Sequence, residues 1–277
     1  QFETCINTYG QFQNSASGST MPEFESASYH VAYAHFKLWE FAKSLNAFEA
    51  FTGNVSNSDM RLHDAYTRMG DAYYMLKDYS RAIEHYSMAI VLWGVDSDYA
   101  AYQIALAYQQ LNEHQSVVES LEDFSVQFSS STYRDDAYYR MGESYIKLHE
   151  PEKAITMFRK VESLFPNSAY LANARMKIGL VLYNKESYQE SIAEFKSIVA
   201  TYPATSIARE AISNARSVYV DLGDVQAYAD WMETLSFVHI SSSALDSTSY
   251  ESAELQYLKS NYSKAYIGFE SYLSNYT

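Results

Sequence analysis

The side chains best suited to acid–base or metal chemistry in this chain are its seven histidines: His30, His35, His63, His85, His114, His149 and His239. Two ligands share one helical face in His-x-x-x-His or His-Glu-x-x-His, and neither spacing occurs. His30 and His35 stand five apart and diverge on a helix. Asp96-Ser97-Asp98 brings two carboxylates close together, in a linker too short for a calcium loop. Cys5 is the single cysteine, so no disulfide framework exists. It falls at a packing position, where its thiol is expected to be inert. The Gly-x-Ser-x-Gly, phosphate-loop and dinucleotide glycine patterns are absent. The expectation is a protein with no enzymatic activity, no cofactor and no metal.

The net charge of −14, from 20 Lys+Arg against 34 Asp+Glu, argues against a nucleic-acid footprint and against adsorption to anionic lipid. No apolar run approaches the roughly 18 residues needed to cross a bilayer. The chain starts at Gln1 without a Met or an apolar leader, as a processed protein or an excised fragment would. Gly 9 and Pro 4 are low for 277 residues, as a mostly helical chain requires, and Tyr 27 is very high.

The elements that would position these residues are paired helices. In Asp64–Gly94, Tyr66, Met69, Gly70 and Tyr73 share one face of a first helix, and Ala82, Tyr86 and Ala89 share one face of a second. Gly70 and Ala82 are small where two helices cross closely, and aromatic side chains fill the space beside them. The pattern recurs. Its Tyr-type position falls at His35, Tyr73, Tyr108, Tyr145, Leu182 and Tyr219, at intervals of 38, 35, 37, 37 and 37. Asp135–Pro166 is near-complete, and Pro151 can begin a second helix at no hydrogen-bonding cost. Gly94 takes the place of a closing Pro and is expected to break the helix. Gln11–Thr20 and the Ser-rich Val238–Thr248 read as loops, and Tyr250–Tyr276 as a last hairpin.

These residues resemble the tetratricopeptide (TPR) repeat, whose unit is about 34 residues. The resemblance implies an all-α fold, an α–α superhelix of about seven helical hairpins with a partial N-terminal repeat. One solenoid would span 1–277, with a repeat end at 1–10 and repeats at 24–58, 62–96, 98–133, 134–170, 171–206, 207–240 and 246–277. Pentatricopeptide repeats have a similar period but read RNA, which the acidic charge disfavours. Sel1-like repeats have longer, Gly-richer turns. The linkers Phe165-Pro-Asn-Ser168 and Tyr202-Pro-Ala-Thr205 look like those of bacterial, Bacteroidetes-type extracytoplasmic TPR proteins. That likeness implies the periplasm or an association with the outer membrane.

In TPR arrays the first helices line a groove with the positions not used for packing. Carried over, that geometry predicts exposure of Tyr29, Tyr33, Phe36, Lys37, Thr67, Asp71, Tyr74, Tyr99, Tyr102, Gln103 and Gln109. It predicts the same for Tyr139, Arg140, Glu143, Lys147, Met176, Lys177, Leu180 and Tyr183. Tyr29, Tyr33, Tyr74, Tyr102, Tyr139, Arg140, Glu143, Lys147, Lys177 and Tyr183 are the expected partner-binding set, because tyrosine offers stiff contact area and a hydroxyl. The bland reading keeps most tyrosines in the core. Arg140, Lys147 and Lys177 would form a small basic cluster for an acidic segment, or solvated charge paired with Glu143. The positions that clamp a carboxylate in peptide-binding TPR domains carry Tyr29, Thr67, Tyr102, Tyr139 and Met176, with no Lys, so a C-terminal clamp is not expected. The implied function is a scaffold for a protein or peptide partner. A structural spacer that self-associates end to end, through exposed faces at Phe2/Cys5 and Phe269/Tyr272, is the alternative. Carbohydrate binding through Tyr29, Tyr33 and Tyr102 is the lesser one.

Overall fold

The computed structural model describes residues 2–13, 23–56, 58–238 and 241–276. These form helices and no strand. The chain divides into two compact units, Gln1–Leu148 and His149–Thr277.

The first unit holds α1 (Phe2–Gln13), α2 (Glu23–Lys37), α3 (Phe41–Thr52), α4 (Arg61–Met75), α5 (Tyr79–Leu92), α6 (Ser97–Gln110), α7 (His114–Gln127) and α8 (Arg134–Lys147). Each helix packs on the next in the chain, and α4 also touches α2 and α6. The second unit holds α9 (Pro151–Leu164), α10 (Leu171–Asn184), α11 (Tyr188–Thr201), α12 (Ser206–Leu222), α13 (Val225–Glu233), α14 (Ser242–Leu258) and α15 (Tyr262–Tyr276). There α12 packs on α10, α11, α13 and α14.

The packing stripe of α4 shows why these segments are helical. Leu62, Ala65, Met69, Ala72 and Tyr73 are buried at spacings of three and four. The small residues sit where helices nearly touch. A Cβ on Gly70 would stand 2.5 Å from the Tyr86 ring, and one on Gly179 would stand 2.6 Å from Phe195. Where the second helix offers Ser instead of Ala, its hydroxyl donates across the crossing. Ser44 Oγ reaches the Ala32 carbonyl at 2.9 Å, and Ser191 Oγ reaches Gly179 at 2.8 Å.

Among the described residues, seven of the turns share one backbone conformation. Trp39, Lys77, Asn112, His149, Glu186, Gly223 and Ser260 all lie in the left-handed region, with φ between 60° and 80°. The first six stand four residues after the Tyr-type positions and Ser260 stands four after Gln256, so the turn carries the sequence period. The left-handed residue turns the chain back onto the first helix: the amide of Asp78 donates to the Tyr73 carbonyl, and that of Ser187 to Leu182. Asp78, Thr205, Asp224 and Ser241 cap the helices that follow them, each accepting from a backbone amide three residues on.

Four expectations change. The Gln11–Thr20 loop starts late, because α1 runs to Gln13; residues 14–20 lie outside the described residues, as does His239. The Ser-rich 238–248 stretch is helical from Ser242: Ser241 caps α14, and Thr248 is buried, accepting from Arg216 Nε at 2.9 Å. Gly94 does not end α5, since the helix closes at a left-handed Trp93. Gly94 is instead small because the His63 ring fills the place of its side chain. Phe269 and Tyr272 are not an open face, since both rings meet Tyr250 edge-on; the exposed apolar residues of α15 are Tyr262, Tyr266, Ile267 and Leu273.

Candidate functional site

The first helices of the first unit, α2, α4 and α6, are tied by a polar network around one carboxylate. Asp71 on α4 is 8% exposed. Its Oδ1 accepts from the hydroxyls of Tyr86 on α5, at 2.8 Å, and Tyr99 on α6, at 2.9 Å. Its Oδ2 accepts from Arg68 Nη1 at 2.5 Å. Arg68 Nε also donates to Asp64 at 3.2 Å, and Asp96 stands 3.9 Å from Nη2. Asp64 in turn accepts from the Tyr29 hydroxyl on α2. Helices one repeat apart are therefore joined by tyrosine hydroxyls that reach carboxylates.

Above this network opens a cavity of about 560 Å³. Phe36, Trp39, Phe41, Tyr74, Met75 and Leu106 form its apolar walls; Arg68, Asp71, Tyr86 and Tyr99 also border it. Phe36 and Trp39 both meet Phe41 edge-on, with ring centres 5.7 and 5.8 Å apart. Trp39 is 70% exposed, so its indole faces solvent at the mouth. Lys37 and Gln103 complete the rim, and the Gln103 amide has no hydrogen-bond partner among the described residues.

The electrostatics suit holding rather than reacting. Burial, then Asp71, pushes the Tyr86 and Tyr99 hydroxyls far above the ordinary tyrosine range, so both stay protonated as donors. Burial works against the Arg68 charge, but Asp71 and Asp64 outweigh it and raise its pKa. Three carboxylates (Asp64, Asp71 and Asp96) surround one guanidinium, which leaves the site negative. The unit as a whole has 19 acidic against 9 basic residues, a net charge of −10; the second unit has 15 against 11, a net charge of −4.

The residues expected to bind a partner fall in several places. Tyr74 lines the cavity, with Phe36, Lys37 and Gln103 beside it. Tyr29 and Tyr33 are half-buried and stacked on each other at 6.3 Å; Lys37 Nζ lies 5.1 Å over the Tyr33 ring. Tyr102 is not exposed. It is 4% accessible, stacked on Tyr133 at 5.0 Å, and its hydroxyl donates to Asp136 on α8. Arg140 is committed to Asp136, the Tyr102 hydroxyl and Gln109 Oε1, not to Glu143. Glu143 lies with Tyr139, whose hydroxyl is pushed up by burial and then by Glu143. Lys147 is exposed. Lys177 and Tyr183 belong to the second unit. The Tyr183 hydroxyl donates to Asp221 and is pushed up to about 12 by burial and that bond.

Thr67, Asp71 and Met176 are buried as well, against the expectation of exposure. Asp71 and Met176 meet the next repeat's first helix, through Tyr99 on α6 and Asn214 on α12, while the Thr67 hydroxyl donates back to the His63 carbonyl of its own helix. Trp39, Phe41, Arg68 and Tyr86 were missed as members of a site. A periodic signal could have found the helix-joining bonds, a tyrosine followed one repeat later by a carboxylate: Tyr29 and Asp64, Tyr102 and Asp136, Tyr183 and Asp221. Among the described residues no group of three His, Cys, Asp or Glu side chains is placed to hold a metal ion, and no helix is long and apolar enough to cross a membrane.

Two tetratricopeptide-repeat family models match the chain, at residues 63–93 and 136–168. The first match covers α5 and all but the first two residues of α4, and with them Asp64, Arg68, Asp71 and Tyr86 of the network. Among solved structures, a tetratricopeptide repeat protein from Parabacteroides merdae aligns at 14% identity, covering 91% of this chain and 93% of that one, with a TM-score of 0.56. MamA aligns at 22% identity over 67% of this chain and 98% of its own, with a TM-score of 0.54. MamA from Desulfovibrio magneticus aligns at 16% over 66% and 97%, with a TM-score of 0.52. At these identities the likeness shows the fold. No curated protein matches in sequence.

Proposed function

We propose, for a chain built of tetratricopeptide repeats, that it is a non-enzymatic interaction scaffold and that the α2–α4–α6 cavity of the first unit seats a segment of a protein partner. The observation that carries this reading is Trp39, a large apolar side chain left in solvent at the mouth of a cavity walled by Phe36, Phe41 and Tyr74. Exposed aromatic residues beside an apolar pocket are the usual anchors of protein contacts. The network below is fully used in joining the helices, so the cavity has a fixed shape before anything binds, which lowers the ordering cost of association. The cell compartment proposed with this function is the bacterial periplasm, to be checked by fractionation.

The test is affinity capture from a native lysate with the wild-type chain and a Trp39→Ser/Met75→Glu variant. Both residues are exposed, so the fold should survive, as circular dichroism would verify. Loss of the captured partner supports the reading; an unchanged partner set removes this cavity from it.

Self-association is a second reading, favoured by Tyr266, Ile267 and Leu273, each more than half exposed on α15. A monomeric mass by sedimentation at high concentration would dispose of it.

A further inference from the structure

The cavity's walls and the charges around it together define what it can seat. Its inner polar groups have no spare capacity: Asp71 accepts from Arg68, Tyr86 and Tyr99, and Arg68 faces Asp64, Asp71 and Asp96. A ligand carboxylate would have to displace Asp71 from Arg68 and leave a buried charge unpaired, which is costly. An apolar side chain has no such penalty and would cover Phe36, Trp39, Phe41 and Tyr74. Around it the balance is acidic: three carboxylates stand against the two cations Arg68 and Lys37, within a unit of net charge −10.

Trp39 adds an independent observation. Seven hairpin turns share one left-handed position, and in the other six it is held by Lys77, Asn112, His149, Glu186, Gly223 or Ser260. A bulky side chain there is the least tolerated, at a cost of roughly 1–2 kcal/mol. Little burial offsets that cost, since the side chain is 70% exposed and its ring meets only Phe41 edge-on among the ring contacts described. Its exposed π-face also attracts a cation.

We infer that the α2–α4–α6 cavity takes an apolar side chain of a partner segment that carries lysine or arginine on both flanks of that anchor. The inference rests on the scaffold reading above and adds the chemistry of the partner. The apolar anchor fills the aromatic walls. The flanking cations lie over the Trp39 face and toward Asp96, and the Gln103 amide is placed to pair with the segment's backbone.

Fluorescence anisotropy with three short labelled synthetic peptides tests it: a Leu-Phe anchor flanked by lysines, the same anchor flanked by glutamates, and the lysine peptide with Ser-Ser in place of the anchor. The lysine-flanked anchor should bind about tenfold or more tightly than either of the others, and its advantage over the glutamate peptide should shrink in 0.5 M salt. Trp39→Ser should weaken it about tenfold without changing the helical circular dichroism, and Lys37→Glu should strengthen it. Equal or tighter binding of the glutamate-flanked anchor, still lost in Trp39→Ser, would overturn the charge assignment and leave the scaffold reading standing. Lysine-peptide binding that ignores Trp39→Ser, or no binding of any peptide, would overturn the inference itself.

Discussion

Gly70 and Gly179 mark the same crossing in the two units, one under Tyr86 and the other under Phe195. Around that shared crossing the chemistry is opposite. Counting from each glycine, Arg68, Asp71, Tyr86 and Tyr99 in the first unit correspond to Lys177, Leu180, Phe195 and Ala208 in the second. The first crossing is a hydrogen-bonded quartet. The second sets apolar side chains at three of those four places, with Phe195 and Ala208 fully buried among Ile192, Ile198 and Ala211, and Ser191 donating to the Gly179 carbonyl. The second unit puts its ion pairs elsewhere: Arg159 pairs with Glu162 on its own helix and with Glu194 on α11, and Arg175 on α10 reaches Glu162 on α9. One backbone geometry thus accepts either a polar or an apolar filling, provided the filling is complete. Of the two crossings, the polar one lies under the cavity with the exposed tryptophan.

Removing the centre of the quartet should have the largest effect. Asp71→Ala leaves the Arg68 charge and two tyrosine hydroxyls short of an acceptor in a buried place, a loss of about 3 kcal/mol. Leu180→Ala, at the matching place, trims a half-buried apolar side chain and should cost about 1 kcal/mol. Urea unfolding of the two variants would check the ratio; equal losses would mean that the quartet is no more than surface charge.

Swapping one hydroxyl comes next. Tyr86→Phe removes a donor to Asp71, which keeps Arg68 and Tyr99, and should cost about 1 kcal/mol. Phe195→Tyr places a hydroxyl beside Leu180, where the sequence provides no carboxylate. It should cost about 2 kcal/mol, being an unpaired polar group in a packed core. A Phe195→Tyr protein as stable as the parent, judged by its thermal midpoint, would show that the second crossing has room or water that the packing does not suggest.

The hairpins were legible because their spacing repeats and because small residues must stand at the crossings; Gly70, Ala82, Gly179 and Ser191 all do. The first-helix surface was not legible. Positions such as Tyr102 and Met176 lie on the face that the next first helix packs across, and are buried there against Asp136 and Asn214. That burial is decided some 35 residues away, by partners such as Asp136, and helical periodicity within one repeat carries no trace of it. The cavity was half-visible for the same reason. Tyr74 was found from its own helix, whereas Trp39 and Arg68 were not singled out, because neither stands at a position that the repeat pattern marks.

Acid should separate the units further. His63 in the first unit is buried against Gly94, with its Nε2 3.4 Å from Ser97 Oγ. Burial lowers its pKa, although Asp96 and Asp64 pull the other way. A histidine whose folded pKa lies below its unfolded value of about 6.5 favours the fold only while neutral. Its contribution is complete above that value and is lost as pH falls below it. Chemical denaturation at pH 7.5 and 5.5 should show the loss, less than about 1 kcal/mol, and His63→Gln should flatten it. The lowered carboxyls of Asp59 in the first unit and Glu162 and Asp221 in the second act later. Burial opposes each shift at Glu162 and Asp221, but their arginine and lysine partners prevail, and their share is lost only as pH falls below about 4.

The smallest effect should be the same in both units, because the hairpin turn is the part they share. Lys77 and Glu186 sit at the left-handed turn position with φ of 62° and 60°. Both are exposed, so little packing is lost on truncation. Glycine meets no Cβ penalty there, while its freer unfolded chain takes back part of the gain. Lys77→Gly and Glu186→Gly should therefore each stabilise by about 0.5 kcal/mol, with Gly223 as the natural example of the relieved turn. Trp39→Gly is the informative third member of the set. Relief of the same turn should stabilise it at least as much, because an exposed ring contributes little to the fold. If thermal melts instead show Trp39→Gly to be destabilising, the indole is holding Phe41 and α3 in place, and its exposure at the cavity mouth would be a by-product of packing.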